Sequence, residues 1–165
     1  MGHSRQRLSP SLLEDPVHFL ALGCGSGLGP KAPGTVGTLM AIPLYLLLAP
    51  LSWPIYLTVV VLSALVGIAI CDISAKKMGE HDHPGIVWDE FVGYWITMFL
   101  APAGWLWIAT GFVLFRIFDI LKPWPIRWLD RHVAGGFGIM VDDVLAGIAA
   151  FVVLHIIAYY YIAAL

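Results

Sequence analysis

Three long stretches without charge dominate the pattern of apolar and polar positions. No charged residue lies between Lys31 and Asp72, none between Glu90 and Arg116, and none from Val144 to Leu165, where His155 is the polar intruder. A membrane-spanning helix needs about 20 apolar residues, range ~17–25. The first run is too long for one such helix and is broken by Pro43, Pro50, Ser52 and Pro54. It predicts a hairpin, with helices near 36–50 and 54–71 around the turn "PLSWP". The second run is interrupted at Ala101-Pro102-Ala103-Gly104 and predicts another hairpin, with helices near 87–101 and 105–121. The third predicts a single crossing. The expected fold class is therefore all-α: a polytopic membrane helical bundle of about five transmembrane or membrane-embedded helices, two hairpins plus a C-terminal helix. It forms one domain over 1–165 with a polar N-terminal segment at 1–16. Segments of about 12–16 residues are marginal spans, so re-entrant helices, or a soluble bundle with a greasy core, fit the same pattern.

Two hairpins return the chain to its starting side. The polar stretches before 36, at 72–90 and at 116–143 then share one face, while the turns at 50–54 and 101–105 carry no charge. All nine Lys and Arg residues fall on the shared face, which the positive-inside tendency makes cytoplasmic. Composition agrees: 59% of residues are hydrophobic and 12% charged, against roughly 45–50% and about 25% in soluble domains. A net charge of −2 and the lack of a basic run give no sign of a nucleic-acid partner. Cys24 and Cys71 form no CxxC pair, which argues against a disulfide framework or thiolate metal site. The N-terminus lacks the apolar core of a signal peptide.

Against this background the acids stand out. Asp89 and Glu90 open one predicted helix, Asp119 closes the helix that carries Arg116 three residues earlier, and Asp142 and Asp143 open the last. Ionisable groups beside hydrocarbon are costly and point to function. Carboxylates brought together repel unless a cation sits among them. Oxygen ligands suit Mg²⁺, which binds through one or two carboxylates plus substrate phosphates. A single acid pair at a helix start has a simpler explanation in the helix dipole; three acidic sites on one face fit that explanation less well.

The stretch "GCGSGLGPKAPGTVGT" (23–38) is not a GxxxxGK[ST] nucleotide loop. Thr35 is the expected N-cap of the first apolar helix, where free backbone N–H groups favour an anion, and Thr38 adds a hydroxyl. Arg116, Lys122, Arg127 and Arg131 lie in "RIFDILKPWPIRWLDRHVAGG", with Trp124 and Trp128 beside them. Arg116 and Lys122, which bracket Asp119, are candidate phosphate ligands. Arg127 is another, although it and Arg131 also fit a positive-inside anchor. In "GEHDHPGIVWDE", the His81-Asp82-His83 spacing is too loose for zinc. His81 and Asp82 are better read as groups that hold the metal ligands in place or transfer protons, and His83 as equally consistent with a solvated loop.

The blocks "GSGLGPKAPGTVGTLMAIP", "HDHPGIVWDEFVGYWIT", "FRIFDILKPWPIRWLDR" and "GGFGIMVDDVLAG" resemble the phosphatidylglycerophosphatase A family and run from about 23 to 147 without departure from its pattern. The resemblance implies a magnesium-dependent phosphatase of the bacterial inner membrane. Such an enzyme removes the terminal phosphate of phosphatidylglycerophosphate, giving phosphatidylglycerol and inorganic phosphate. Its substrate is a phospholipid whose acyl chains stay in the bilayer. On that reading Asp89, Glu90, Asp119, Asp142 and Asp143 are candidate metal ligands. Thr35, Thr38, Arg116, Lys122 and Arg127 are candidate substrate ligands, and His81, Asp82, Asp89 and Asp119 candidate catalytic groups. The nucleophile is water or a carboxylate, with water favoured: the DxDx[TV] pattern is absent at Asp119, no Arg follows Cys24 at phosphatase spacing, and PSGH and SR…H motifs do not occur. Two rivals remain. "DISAKKMGEHD" is faintly similar to the signature of a phosphotransferase using a cytidine-diphosphate alcohol, but Ile73 and Lys76 break it. A transporter would place its acids near the bilayer midplane, where this chain is nearly uncharged.

Overall fold

The computed structural model describes residues 8–80 and 83–164, and every described element is helical. Short 3₁₀ turns at Pro10–Glu14 and Gly23–Leu28 flank α1 (Pro16–Ala21). The remaining helices are α2 (Pro33–Leu48), α3 (Trp53–Met78), α4 (Trp88–Thr97), α5 (Trp105–Leu121), α6 (Ile126–His132) and α7 (Gly135–Ala163).

Local chemistry sets most boundaries. α2 starts at Pro33, whose fixed φ suits the first helical position and whose missing N–H costs nothing there. α3 likewise carries Pro54 in its first turn, and it stops at Gly79 in the left-handed region (φ 73°), the conformation glycine adopts most readily. There Gly79 N–H donates to Lys76 O (3.2 Å) and Glu80 N–H to Ala75 O (3.2 Å), satisfying carbonyls the helix would leave open. α5 is entered through Gly104 (φ 122°) and left through Lys122, followed by Pro123.

α7 is the axis of the bundle, packing against α3, α4, α5 and α6, while α2 packs mainly on α4. Glycines permit the closest approach. A Cβ on Gly93 of α4 would stand 2.5 and 2.7 Å from the Phe115 ring and 2.8 Å from the Asp143 carbonyl oxygen, and one on Gly147 of α7 would run into the Gly93 carbonyl. Tyr94, Phe91, Phe115, Met140 and Leu154 fill the fully buried interior. Polar tips in this interior find backbone partners. Tyr56 Oη donates to Trp95 O (2.7 Å), Trp95 Nε1 to Ala41 O (3.1 Å), Trp88 Nε1 to Ser63 O (3.1 Å) and Tyr94 Oη to Ile108 O (3.2 Å). Such bonds stitch helices together where an unpaired donor would be costly.

The outer surface is apolar. Leu47, Leu65, Ile120 and Tyr159 are more than half exposed, as are Ile156 and Ile55. Among the described residues, two helices are long and apolar enough to cross a membrane: α3, with 26 residues and mean hydropathy 2.4, and α7, with 29 residues and mean hydropathy 2.1.

Both predicted hairpin turns are present, but three boundaries differ from the expectation and α6 is additional to it. α3 continues through Asp72 and the charged turn beyond it to Met78. α4 ends at Thr97 rather than 101. The polar stretch 116–143 holds a helix of its own, α6. α7 begins at Gly135, so Asp142 and Asp143 lie inside the helix, about 12 Å from its start at 1.5 Å per residue, rather than opening it.

Candidate active site

Asp89 and Glu90 occupy the first turn of α4, each 9% exposed. Asp143 reaches them from α7. Carboxylate oxygens of Asp89, Glu90 and Asp143 all lie within 4.8 Å of one another. The Gly93 and Gly147 contacts set this spacing, because they hold the α4 and α7 backbones against each other beside the acids. Arg116 and Asp119 come from the last turns of α5. Arg116 Nη1 lies 2.6 Å from Asp119 Oδ2 and 3.8 Å from Glu90 Oε1. Three separate segments of sequence therefore meet in one place.

Three atoms in this cluster lack a hydrogen-bond partner among the described residues: Glu90 Oε2, Asp143 Oδ2 and Arg116 Nε, all buried. A buried polar atom left unsatisfied costs about 1–3 kcal/mol, more when charged. Two acceptors and one guanidinium donor left open in one buried cluster are what a site with a cation and an anionic ligand would need. The Asp89, Glu90 and Asp143 donors are all carboxylate oxygens, so the set fits a hard divalent cation rather than one that prefers nitrogen or sulfur.

The expected phosphate ligands are distributed differently. Thr35 is not the N-cap of α2: Ala32 takes that position in the left-handed region, and Thr35 falls in the first turn. Thr38 is fully buried, and its hydroxyl donates to Gly34 O (2.9 Å) while accepting from Arg116 Nη1 (3.3 Å). It therefore supports the guanidinium from behind. Lys122 does not pair with Asp119. In the left-handed conformation (φ 42°) it places Nζ 2.5 Å from Asp142 Oδ2 and 2.5 Å from Asp130 Oδ1. Burial works against its charge, but these two carboxylates outweigh burial and hold its pKa above the ordinary lysine value. Arg127 is exposed and donates from Nη2 to Leu121 O (2.8 Å), closing the end of α5. His81 and Asp82 lie outside the described residues. His83 accepts from Gly85 N–H at Nδ1 (3.0 Å).

Two residues at the site escaped the sequence reading. Asp130 shares Lys122 with Asp142. The available signal was a lysine at a helix end where glycine is usual. Gly34 is the second: a Cβ there would collide with Glu90 Oε1 and lie 3.3 Å from both Arg116 terminal nitrogens. Other glycines of the 23–38 stretch have a packing role. A Cβ on Gly27 would strike the Gly85 carbonyl, and one on Gly37 would lie 2.7 Å from Val87. Beside them a cleft of about 340 Å³ opens between Gly27, Gly29, Pro33, His83 and Gly85.

Fold and site together define an apolar helical protein with a buried, oxygen-rich cluster of acids and bases. Residues 19–158 match the family model described as Phosphatidylglycerophosphatase A. The chain is 51% identical over 150 residues to "Phosphatidylglycerophosphatase A" of Escherichia coli (strain K12), covering 90% of this chain and 87% of that protein. It is 49% identical over 150 residues to the protein of the same name from Haemophilus influenzae, covering 90% and 92%. The chain belongs to the phosphatidylglycerophosphatase A family. No solved structure matches it.

Proposed function

We propose that this protein is a magnesium-dependent lipid phosphatase that hydrolyses phosphatidylglycerophosphate to phosphatidylglycerol and inorganic phosphate. The names of its relatives support the activity and substrate. One structural observation carries the chemistry: Glu90 Oε2 and Asp143 Oδ2 are buried and unsatisfied in a triad of carboxylates drawn within 4.8 Å, with an open guanidinium nitrogen of Arg116 close by. Asp89, Glu90 and Asp143 would hold Mg²⁺, which supplies charge neutralisation for the phosphoryl oxygens.

This chain's own residues do the rest. Arg116, oriented by Asp119 and Thr38, presents Nε to a phosphate oxygen. Lys122, held between Asp142 and Asp130, adds a point charge at the rim. Water attacks phosphorus, the bond to the glycerol oxygen breaks, that oxygen takes a proton from an acid assigned on sequence to His81 or Asp82, and the water's remaining proton stays on the inorganic phosphate while solvent restores the acid. Fixed charges aimed at the phosphoryl group favour the transition state because they need no reorganisation when charge develops.

The apolar outer surface and the lengths of α3 and α7 support a multi-pass protein of the bacterial inner membrane. The positions of the lysines and arginines support an active site open to the cytoplasm. A phosphomonoester of a lipid holds its phosphorus at this boundary while its tails remain in hydrocarbon.

The test is phosphate release by purified protein on phosphatidylglycerophosphate and on phosphatidic acid, with Mg²⁺ and with chelator. Expected is turnover that requires Mg²⁺ and prefers phosphatidylglycerophosphate. Full activity in chelator, or equal activity on phosphatidic acid, would refute the metal or the substrate assignment respectively.

A further inference from the structure

The elbow between α5 and α6 carries a second basic surface that the proposed chemistry does not use. On α6, Ile126 is buried and Asp130, one turn later on the same side, reaches back to Lys122. The other side presents Arg127 and Arg131, also one turn apart, with Trp128 and His132. The Trp128 and His132 rings stack at 4.8 Å and 21°, and His132 Nδ1 bonds the Trp128 carbonyl (2.7 Å). With Pro123 and Trp124 these residues line a depression of about 320 Å³. Arg131 is exposed and makes no ion pair among the described residues, so its charge is available to a ligand.

The position of the depression identifies its occupant. The exposed apolar side of α5 runs through Ile117, Ile120 and Leu121 and continues directly into Trp124, 84% exposed, and Trp128, 52% exposed. Phe137, near the start of α7, is exposed as well. Tryptophans at the end of an apolar surface mark the headgroup layer, and basic residues just beyond them meet phosphates. We infer that this depression binds the headgroup of an anionic phospholipid of the surrounding leaflet, at a site separate from the acid cluster. Arg131 and Arg127 face the lipid phosphate, and Trp124 and Trp128 pack along its glycerol and upper acyl carbons. This inference rests on the membrane reading above but not on the catalytic one.

The full-length protein in detergent is titrated with phosphatidylglycerol or with phosphatidylcholine of the same acyl chains, and bound lipid is counted by native mass spectrometry. The wild type is expected to prefer phosphatidylglycerol. Arg131→Gln should weaken phosphatidylglycerol binding about fivefold, the share of one arginine near an anionic surface, and leave phosphatidylcholine unchanged. Trp124→Ser should weaken both lipids. Both side chains are exposed, so neither change threatens folding. An unchanged preference in Arg131→Gln would overturn the inference. So would phosphatidylglycerol binding that is lost in Asp143→Asn and kept in Arg131→Gln, because the lipid would then sit in the acid cluster.

Discussion

Replacing Asp143 by asparagine isolates the electrostatic logic of the site, because it keeps the shape and removes one charge. The carboxylates of Asp89, Glu90 and Asp143 offer oxygens no more than 4.8 Å apart. At an effective dielectric of about 20, two unit charges at that separation repel by about 3.5 kcal/mol. Asp143 takes part in two of the three pairs, so with all three groups ionised its charge accounts for about 7 kcal/mol of repulsion or more at that dielectric. That is on the scale of a whole domain's stability, about 5–15 kcal/mol. Arg116, 3.8 Å from Glu90 but already 2.6 Å from Asp119, offsets only part of it. A divalent cation would offset much of the rest. Without metal, then, Asp143→Asn should unfold at the same temperature as the wild type or a higher one. With Mg²⁺, the wild type should gain stability by mass action and the variant should not. Phosphate release should fall by at least about 10²-fold, the usual scale for losing one group that stabilises developing charge. The assay is thermal unfolding in micelles followed by tryptophan fluorescence, with and without Mg²⁺, beside phosphate release. A variant that keeps the Mg²⁺-dependent rise in Tm, or turns over near the wild-type rate, would show that Asp143 is not part of a cation site.

Two further changes probe the shell around the triad. Gly34→Ala should insert a methyl group against Glu90 Oε1 and the Arg116 fork; a displacement of about 1 Å there should cost about 10²-fold in kcat while the protein still folds, and unaltered kcat would show that the contact relaxes freely. Lys122→Ala should raise KM more than it lowers kcat. It should also cost about 1–3 kcal/mol, since Asp142 loses its ammonium partner in a buried position; a pure kcat effect at unchanged KM would place Lys122 on the transition state instead.

The turns "PLSWP" and "APAG" were readable because proline and glycine interrupt otherwise apolar runs, and Asp89 and Glu90 do open α4. The family resemblance was readable from its four blocks, and the match over residues 19–158 agrees with it. The differences at α3 and α7 share one physical source: loss of hydrophobicity is not loss of helix. Backbone hydrogen bonding does not stop where hydrocarbon does. α3 therefore continues to Met78 past Asp72, and α7 starts at Gly135, two turns before its acids. The Thr35 side chain suits a cap, but Pro33 starts the helix two residues earlier. Lys122 reads from the sequence as a phosphate ligand, and its ion pairs with Asp142 and Asp130, reached through its left-handed backbone, are not revealed by spacing.

On the proposed multi-pass reading, the unequal helix lengths bear on the surrounding bilayer. At 1.5 Å per residue, the 26 and 29 residues of α3 and α7 make rods of about 40 Å, while the 16, 10 and 17 residues of α2, α4 and α5 reach only about 24, 15 and 26 Å. A hydrocarbon layer is about 30 Å thick, and mismatch is relieved by tilt or local thinning at a fraction of a kcal/mol per ångström. The flank built from α2 and α5, whose outer residues are exposed, should on that reading draw the far leaflet inward. Acyl-chain length in the host membrane then becomes a lever on how readily this protein inserts.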